Sequence, residues 1–150
     1  MSDVLNRILN SLSIENGVCV EMRASDGMNS ITSDLWQRGW SAFLFEDDER
    51  LYDQLLDNVV GYEVITERVL VRNLDDHVDV RADVVVVDAE DVDVLNAVKI
   101  PHKVLVIKFS KEMSDAMKSF NKRHYKLVAV EKNYAFFVHT EDFNKFCTGG

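Results

Sequence analysis

The sequence predicts an α/β fold: a mainly parallel sheet with helices on both faces and a C-terminal antiparallel hairpin. Three observations predict it. Apolar runs alternate with helix-periodic stretches up to Thr66 in the order βαβαβ, the pattern of a parallel sheet. Val84 to Val87 form an unbroken β-branched run, the mark of a strand buried on both faces. Two further apolar runs, Tyr125 to Glu131 and Tyr134 to His139, flank Lys132-Asn133 at hairpin spacing.

The elements follow in order. Val4, Leu5, Ile8, Leu9 and Leu12 recur at helical spacing, so residues 3–12 predict a helix that covers the sheet, capped by Ser2 or Asp3. Gly17 to Met22 is a short apolar run, the first strand. Arg23-Ala24-Ser25-Asp26-Gly27 is a turn, since Ser, Asp and Gly supply backbone freedom and local hydrogen bonds. A helix from Asn29 or Ser30 to about Arg38 is predicted next, with Gly39 as its terminator. Ser41 to Phe45 is the second strand. Residues 47–58 carry Leu51, Tyr52, Leu55 and Leu56 on one helical face, and Asp47, Asp48 and Glu49 suit the positive end of its dipole. Tyr62 to Thr66 is a third strand. Val69 to Val71 reads as a strand extension or a short hairpin, and Leu74 to Val78 as one helical turn. After the valine strand, residues 92–98 predict a helix. Val104 to Phe109 predicts a strand, Ser110 to Arg123 a helix, and Glu141 to Phe146 a short closing helix.

Composition bounds the function. One hundred and fifty residues predict one domain with one core. It divides into a covering helix to residue 14, a βαβαβ half over 17–66, and a second half with the hairpin over 83–140. No apolar run approaches the roughly 20 residues that span a bilayer. The first residues have neither the basic start nor the apolar core of a signal peptide, so the expectation is a cytoplasmic protein with no membrane partner. Cys19 falls in a predicted core strand and Cys147 in the tail, which argues against a disulfide; two cysteines and four scattered histidines give no metal signature. The net charge of −9 is uneven, because every lysine lies at or after Lys99. The overall acidity opposes non-specific nucleic-acid binding, and the contrast between the halves leaves room for self-association.

The functional stretch runs from Glu15 to Asp48. Glu21 ends the first strand and Glu46 the second, with the glycine turn between them. Ligands of open α/β sheets sit beyond the carboxyl ends of the strands, where the strand order reverses. Glu46 lies about 20 residues after Asp26, the spacing of a carboxylate that grips ribose hydroxyls.

These residues resemble a known family, the FkbM-type methyltransferases of the class I S-adenosylmethionine-dependent enzymes. The family carries a strand ending in an acid, then Gly-Ala-x-Asp-Gly, a helix, Gly-Trp, and an apolar strand ending in Glu. Here stand Glu21, Arg23-Ala24-Ser25-Asp26-Gly27, Gly39-Trp40 and Phe43-Leu44-Phe45-Glu46. Further on, Asp88, Glu90 and Leu95 match an Asp-x-Glu-Gly stretch and its helix. Tyr125, Asn133 and Phe137-Val138 match a closing hairpin. Two positions depart: Arg23 replaces the first glycine, where the methionine part of the cofactor should lie, and Asp91 replaces a later one.

The resemblance implies a Rossmann-like class I methyltransferase sandwich, with S-adenosylmethionine as cofactor and the hydroxyl of a small molecule or sugar as acceptor. The implied cofactor-binding set is Glu21, Arg23, Ala24, Asp26, Gly27, Glu46, Asp47 and Glu67. Glu46 would accept both ribose hydroxyls. Glu21 would sit near the cofactor's ammonium, or else pair with Arg23 across the turn. Asp26 and Gly27 would shape the turn, with Asp26 also available as a helix cap. Asp88 and Glu90 would orient or deprotonate the acceptor, or else cap the next helix. Trp36 and Trp40 read as core contacts, and the histidines receive no role. Two alternatives stay open: a methyltransferase-like fold that has lost catalysis and serves as a binding or assembly module, and a nicotinamide-dinucleotide binder, for which no G-x-G-x-x-G exists.

Overall fold

The structure is a computed structural model and describes residues 3–71, 74–89, 101–109 and 125–143. Its centre is a seven-stranded sheet: β1 (Val18–Glu21), β2 (Ser41–Phe45), β3 (Val64–Glu67), β4 (Val84–Asp88), β5 (Val104–Lys108), β6 (Tyr125–Glu131) and β7 (Tyr134–His139), in the spatial order β3-β2-β1-β4-β5-β7-β6. The first five are parallel, whereas β7 runs antiparallel to both β5 and β6. The chain leaves β1 toward β2 and β3, then returns to lay β4 on the other side of β1. The strand order therefore reverses between β1 and β4, and their carboxyl ends open the crevice where ligands of such sheets bind.

Alternation along the strands sorts the core into two layers. Cys19, Leu44, Val84, Val86, Val104, Val106, Phe136 and Val138 face the helices α1 (Asp3–Ser11), α2 (Ser33–Gln37) and α3 (Glu49–Asn58), meeting Leu5, Ile8, Leu35, Trp36 and Leu55. Val20, Phe45, Val85, Val87, Leu105, Ile107 and Phe137 face the other way, against Val71, Leu74 and Val78. All five residues of β4 are buried, as the valine run requires.

Two close approaches set the register at the sheet centre. The Asp83 carboxylate accepts a hydrogen bond from the Val18 amide at 3.0 Å, joining the starts of β4 and β1. A β-carbon at Gly17 would lie 2.1 Å from that Asp83 oxygen, so any larger residue there must displace the carboxylate from the Val18 amide.

The segment between β1 and β2 differs from expectation. Only residues 33–37 are helical, so the helix starts three or four residues later than its periodicity predicts. Turns occupy residues 29–32 because the Glu21 carboxylate draws in the Thr32 amide and hydroxyl. Asp26 does not cap α2; its side chain closes a local turn by accepting the Asn29 amide at 3.0 Å and the Asn29 side-chain amide. The other helix cap sits where charge patterning puts it, with the Asp48 side chain accepting the Leu51 amide at 3.0 Å. Val69 to Val71 forms neither strand nor hairpin, and Leu74–Asp76 makes a 3-10 turn. The helices predicted at 92–98 and 110–123 lie outside the described residues. Of the closing helix, residues 140–143 are described and are helical, at least one residue earlier than predicted.

Candidate functional site

The site is built on the turn that follows β1. Arg23, Ser25 and Gly27 all take left-handed backbone conformations, with φ of 52°, 59° and 84°. Alternating left-handed residues fold the chain back tightly over the strand ends. Glycine takes this conformation freely, whereas each L residue there costs about 1–2 kcal/mol. Arg23 and Ser25 therefore hold a strained turn that the surroundings must over-determine. The clamps are visible. The Ala24 amide bonds to the Phe45 carbonyl at 2.9 Å, the Met22 amide to the Val86 carbonyl at 3.0 Å, and the Gly27 amide to the Ala24 carbonyl at 3.0 Å.

Glu46 is the strongest clamp. It is buried at the end of β2, and its two oxygens are each already in use. One accepts the Ser25 amide at 2.8 Å and the other the Asp48 amide at 2.9 Å. Each oxygen keeps a second lone pair for a ligand hydroxyl, so the residue fits the ribose role while also bracing the turn. Glu21, at the end of β1, is also buried, and one of its oxygens accepts both the Thr32 hydroxyl at 2.6 Å and the Thr32 amide at 3.2 Å. Burial pushes its carboxyl above the usual carboxylate range, against the opposing pull of bonds from Thr32, Ser30 and Ile31.

A cavity of about 130 Å³ opens beside this turn. Glu21, Arg23, Ser25, Asn29, Ser30, Val86, Lys108 and Tyr134 are among its lining residues. It lies at the β1–β4 reversal and extends across the ends of β5 and β7. Of the residues expected to bind a cofactor, the structure brings together Glu21, Arg23 and Ala24 at the cavity. Asp26, Gly27 and Glu46 stand in or beside the turn. Asp47 is exposed. Glu67 ends β3 and turns its carboxylate to His77 Nδ1 at 3.3 Å, outside this group. Asp88 is buried at the end of β4, and Glu90 lies outside the described residues. Thr32, Lys108 and Tyr134 carry no motif in the sequence; their signal is positional. Lys108 ends a buried strand, and Tyr134 is the residue opposite it on β7. The remaining described histidines gather elsewhere. His102 is hydrogen-bonded to the Tyr125 hydroxyl and lies edge-on to His139, at the opposite end of the sheet. Among the described residues no cluster of His, Cys, Asp or Glu is suited to a metal, and no helix is long and apolar enough to cross a membrane.

No family model and no curated protein matches this chain. Solved structures do. A conserved hypothetical protein from Streptococcus pyogenes superposes with a TM-score of 0.61 at 16% identity, covering 84% of this chain and 88% of its own. Magnesium protoporphyrin IX methyltransferase from Synechocystis PCC 6803, solved with bound S-adenosylmethionine, gives 0.62 at 11% identity, covering 91% and 76%. An rRNA methylase from Streptococcus thermophilus gives 0.58 at 10%, covering 93% and 97%. The chain has the class I S-adenosylmethionine-dependent methyltransferase fold. At these identities the likeness establishes fold alone.

Proposed function

We propose that the chain binds S-adenosylmethionine at the β1–β2–β4 edge and transfers its methyl group to a hydroxyl of a small molecule or sugar. One observation carries the reading: on this sheet order, two buried acids end the adjacent strands β1 and β2 and flank a turn of three left-handed residues. Glu46 would hold the ribose through its remaining lone pairs. Glu21 would face the ammonium. Bound there, the sulfonium supplies an electrophilic methyl carbon. Alignment of the acceptor oxygen with that carbon then supplies much of the rate. Asp88, buried at the end of the central strand, would orient the acceptor hydroxyl and take its proton as the C–O bond forms and the methyl–sulfur bond breaks. The neighbours' acceptors include rRNA and a porphyrin, so an acceptor screen spans RNA as well as sugars.

A second reading, a binding module without catalysis, is favoured by Arg23 in the first glycine position and by the size of the cavity. Its 130 Å³ is less than half of the roughly 300 Å³ at the lower end for ligand pockets. Calorimetric titration with S-adenosylmethionine and S-adenosylhomocysteine separates the two. The cofactor reading expects micromolar binding that Glu46→Ala abolishes. Absence of heat at about millimolar ligand, with binding appearing only in Arg23→Gly, would overturn it in favour of the second.

A further inference from the structure

Asp88 stands at the head of a row. Asp88, Lys108 and Tyr134 are aligned partners across β4, β5 and β7 and share one face of the sheet. Backbone bonds fix the row: the Ala89 amide bonds to the Lys108 carbonyl and the Phe109 amide to the Asn133 carbonyl, both at 2.9 Å. Among the described residues, neither the Lys108 ammonium nor the Tyr134 hydroxyl has a hydrogen-bond or ion-pair partner, although both line the cavity. Burial, and then the Glu21 and Asp88 carboxylates, push the Tyr134 hydroxyl up to about 12, so at neutral pH it is a proton donor and not a base. Beside Asp88 the row thus presents two donors, one of them cationic. A half-buried cation is costly unless paired. The other cation of the cavity, Arg23, belongs to the turn after β1 and has interactions of its own. The carboxylates Glu21, Glu46 and Asp88 end β1, β2 and β4, so they confine an anion to the β5–β7 wall. That wall is two strands from β1, about 10 Å, and lies beyond Asp88 from the two acids that would hold the cofactor.

We propose that the acceptor carries an anionic group, a carboxylate or a phosphate, beside its hydroxyl, and that Lys108 and Tyr134 bind this group while Asp88 holds the hydroxyl. Sugar acids and sugar phosphates have this chemistry. The inference rests on the reading above, which puts the cofactor at β1 and β2 and the acceptor at Asp88. It assigns Lys108 and Tyr134 to the acceptor and not to the cofactor, and it narrows the acceptor from any hydroxyl to that of an anion.

The test titrates the purified chain with inorganic phosphate and with isotope-labelled acetate, at constant ionic strength with chloride as the balancing ion, and follows the broadening of the ions' NMR lines. S-adenosylmethionine is titrated in parallel by calorimetry. Lys108→Met, Lys108→Arg and Tyr134→Phe are compared with the parent after their unliganded melting temperatures are shown to match. The expected result is binding of one or both oxyanions at about 1–10 mM. Lys108→Met should weaken it by about tenfold or more and Tyr134→Phe by several-fold, while Lys108→Arg retains it. Binding of phosphate alone points to a phosphorylated acceptor, and of acetate alone to an acid. No binding of either at about 50 mM, or unchanged affinity in Lys108→Met, would overturn the proposal. So would a loss of S-adenosylmethionine affinity in Lys108→Met as large as the loss for the anion, since Lys108 would then serve the cofactor. The two readings fail separately. S-adenosylmethionine binding without anion binding sinks the acceptor anchor and spares the cofactor. Anion binding without S-adenosylmethionine binding sinks the cofactor and spares the anion subsite.

Discussion

Replacing Gly27 by alanine measures how tightly the site turn is held. Gly27 has φ of 84°, and a β-carbon there would lie 2.7 Å from Leu55 Cδ1, 3.7 Å from Trp36 Cζ2 and 3.9 Å from Val59 Cγ1. Three contributions add. An L residue in the left-handed region costs about 1–2 kcal/mol. Leu55 is fully buried, so its methyl has no empty space to swing into, and overpacking of this kind costs about 1–3 kcal/mol. Alanine narrows the unfolded ensemble and returns about 0.4–1 kcal/mol. The net expectation is a loss of about 1–4.5 kcal/mol. Gly39→Ala is the matched control: φ is 105° and nothing lies within 4 Å of its β-carbon, so only the backbone and ensemble contributions act, for a loss of about 0–1.5 kcal/mol. Urea unfolding followed by far-ultraviolet dichroism, with m compared between variants, gives both numbers. If Gly27→Ala costs no more than Gly39→Ala, the turn does not pack against Leu55 of α3.

Two further results are expected. Glu46→Ala leaves the Ser25 and Asp48 amides without their acceptor, and should cost about 2–4 kcal/mol in urea unfolding; a loss below about 1 kcal/mol would mean that water satisfies both amides and the clamp is dispensable. Glu21 gives a pH dependence of definite sign. Its folded carboxyl holds the proton more tightly than the unfolded one, so stability is greatest below the unfolded value and falls as pH rises through the raised folded value. Urea midpoints measured from mildly acidic to neutral pH should fall over that window in the parent and lose that component in Glu21→Gln; identical slopes in the two proteins would contradict it.

The fold was legible wherever the burial of a segment leaves a pattern in the chain. Val84 to Val87 reads as the central strand because both its faces are covered, and β6 and β7 read as a hairpin because their turn is short. The start of α2 was not legible. The pattern around Ser30 is helical, but Glu21, a residue eleven positions earlier, captures Thr32 and holds the backbone in turns. The site was legible as far as local spacing reaches. Glu21 and Glu46 announce themselves by ending apolar runs. Glu67, which ends β3 in the same way, is drawn off by His77 from a later segment. Lys108 and Tyr134 enter the cavity through strand register alone, and register is a product of the assembled sheet. The left-handed conformations of Arg23 and Ser25 were hidden for a related reason: the residue types argue against them, and only clamps from β2 and β4 impose them.

The placement of β4 beside β1 also bears on the order of events when the chain folds. The bond from the Val18 amide to Asp83 closes a separation of 65 residues, and the cavity draws its walls from positions between Glu21 and Tyr134. Pairings this remote must meet the entropy of closing a long loop before any contact rewards it, so they form slowly and late. The first three strands can pair as a local unit while the cavity still lacks Val86, Lys108 and Tyr134. A ligand of this cavity therefore finds no receptor until the two halves have docked. It holds the molecule together chiefly by slowing their separation, and extends the lifetime of the native state more than it hastens its arrival.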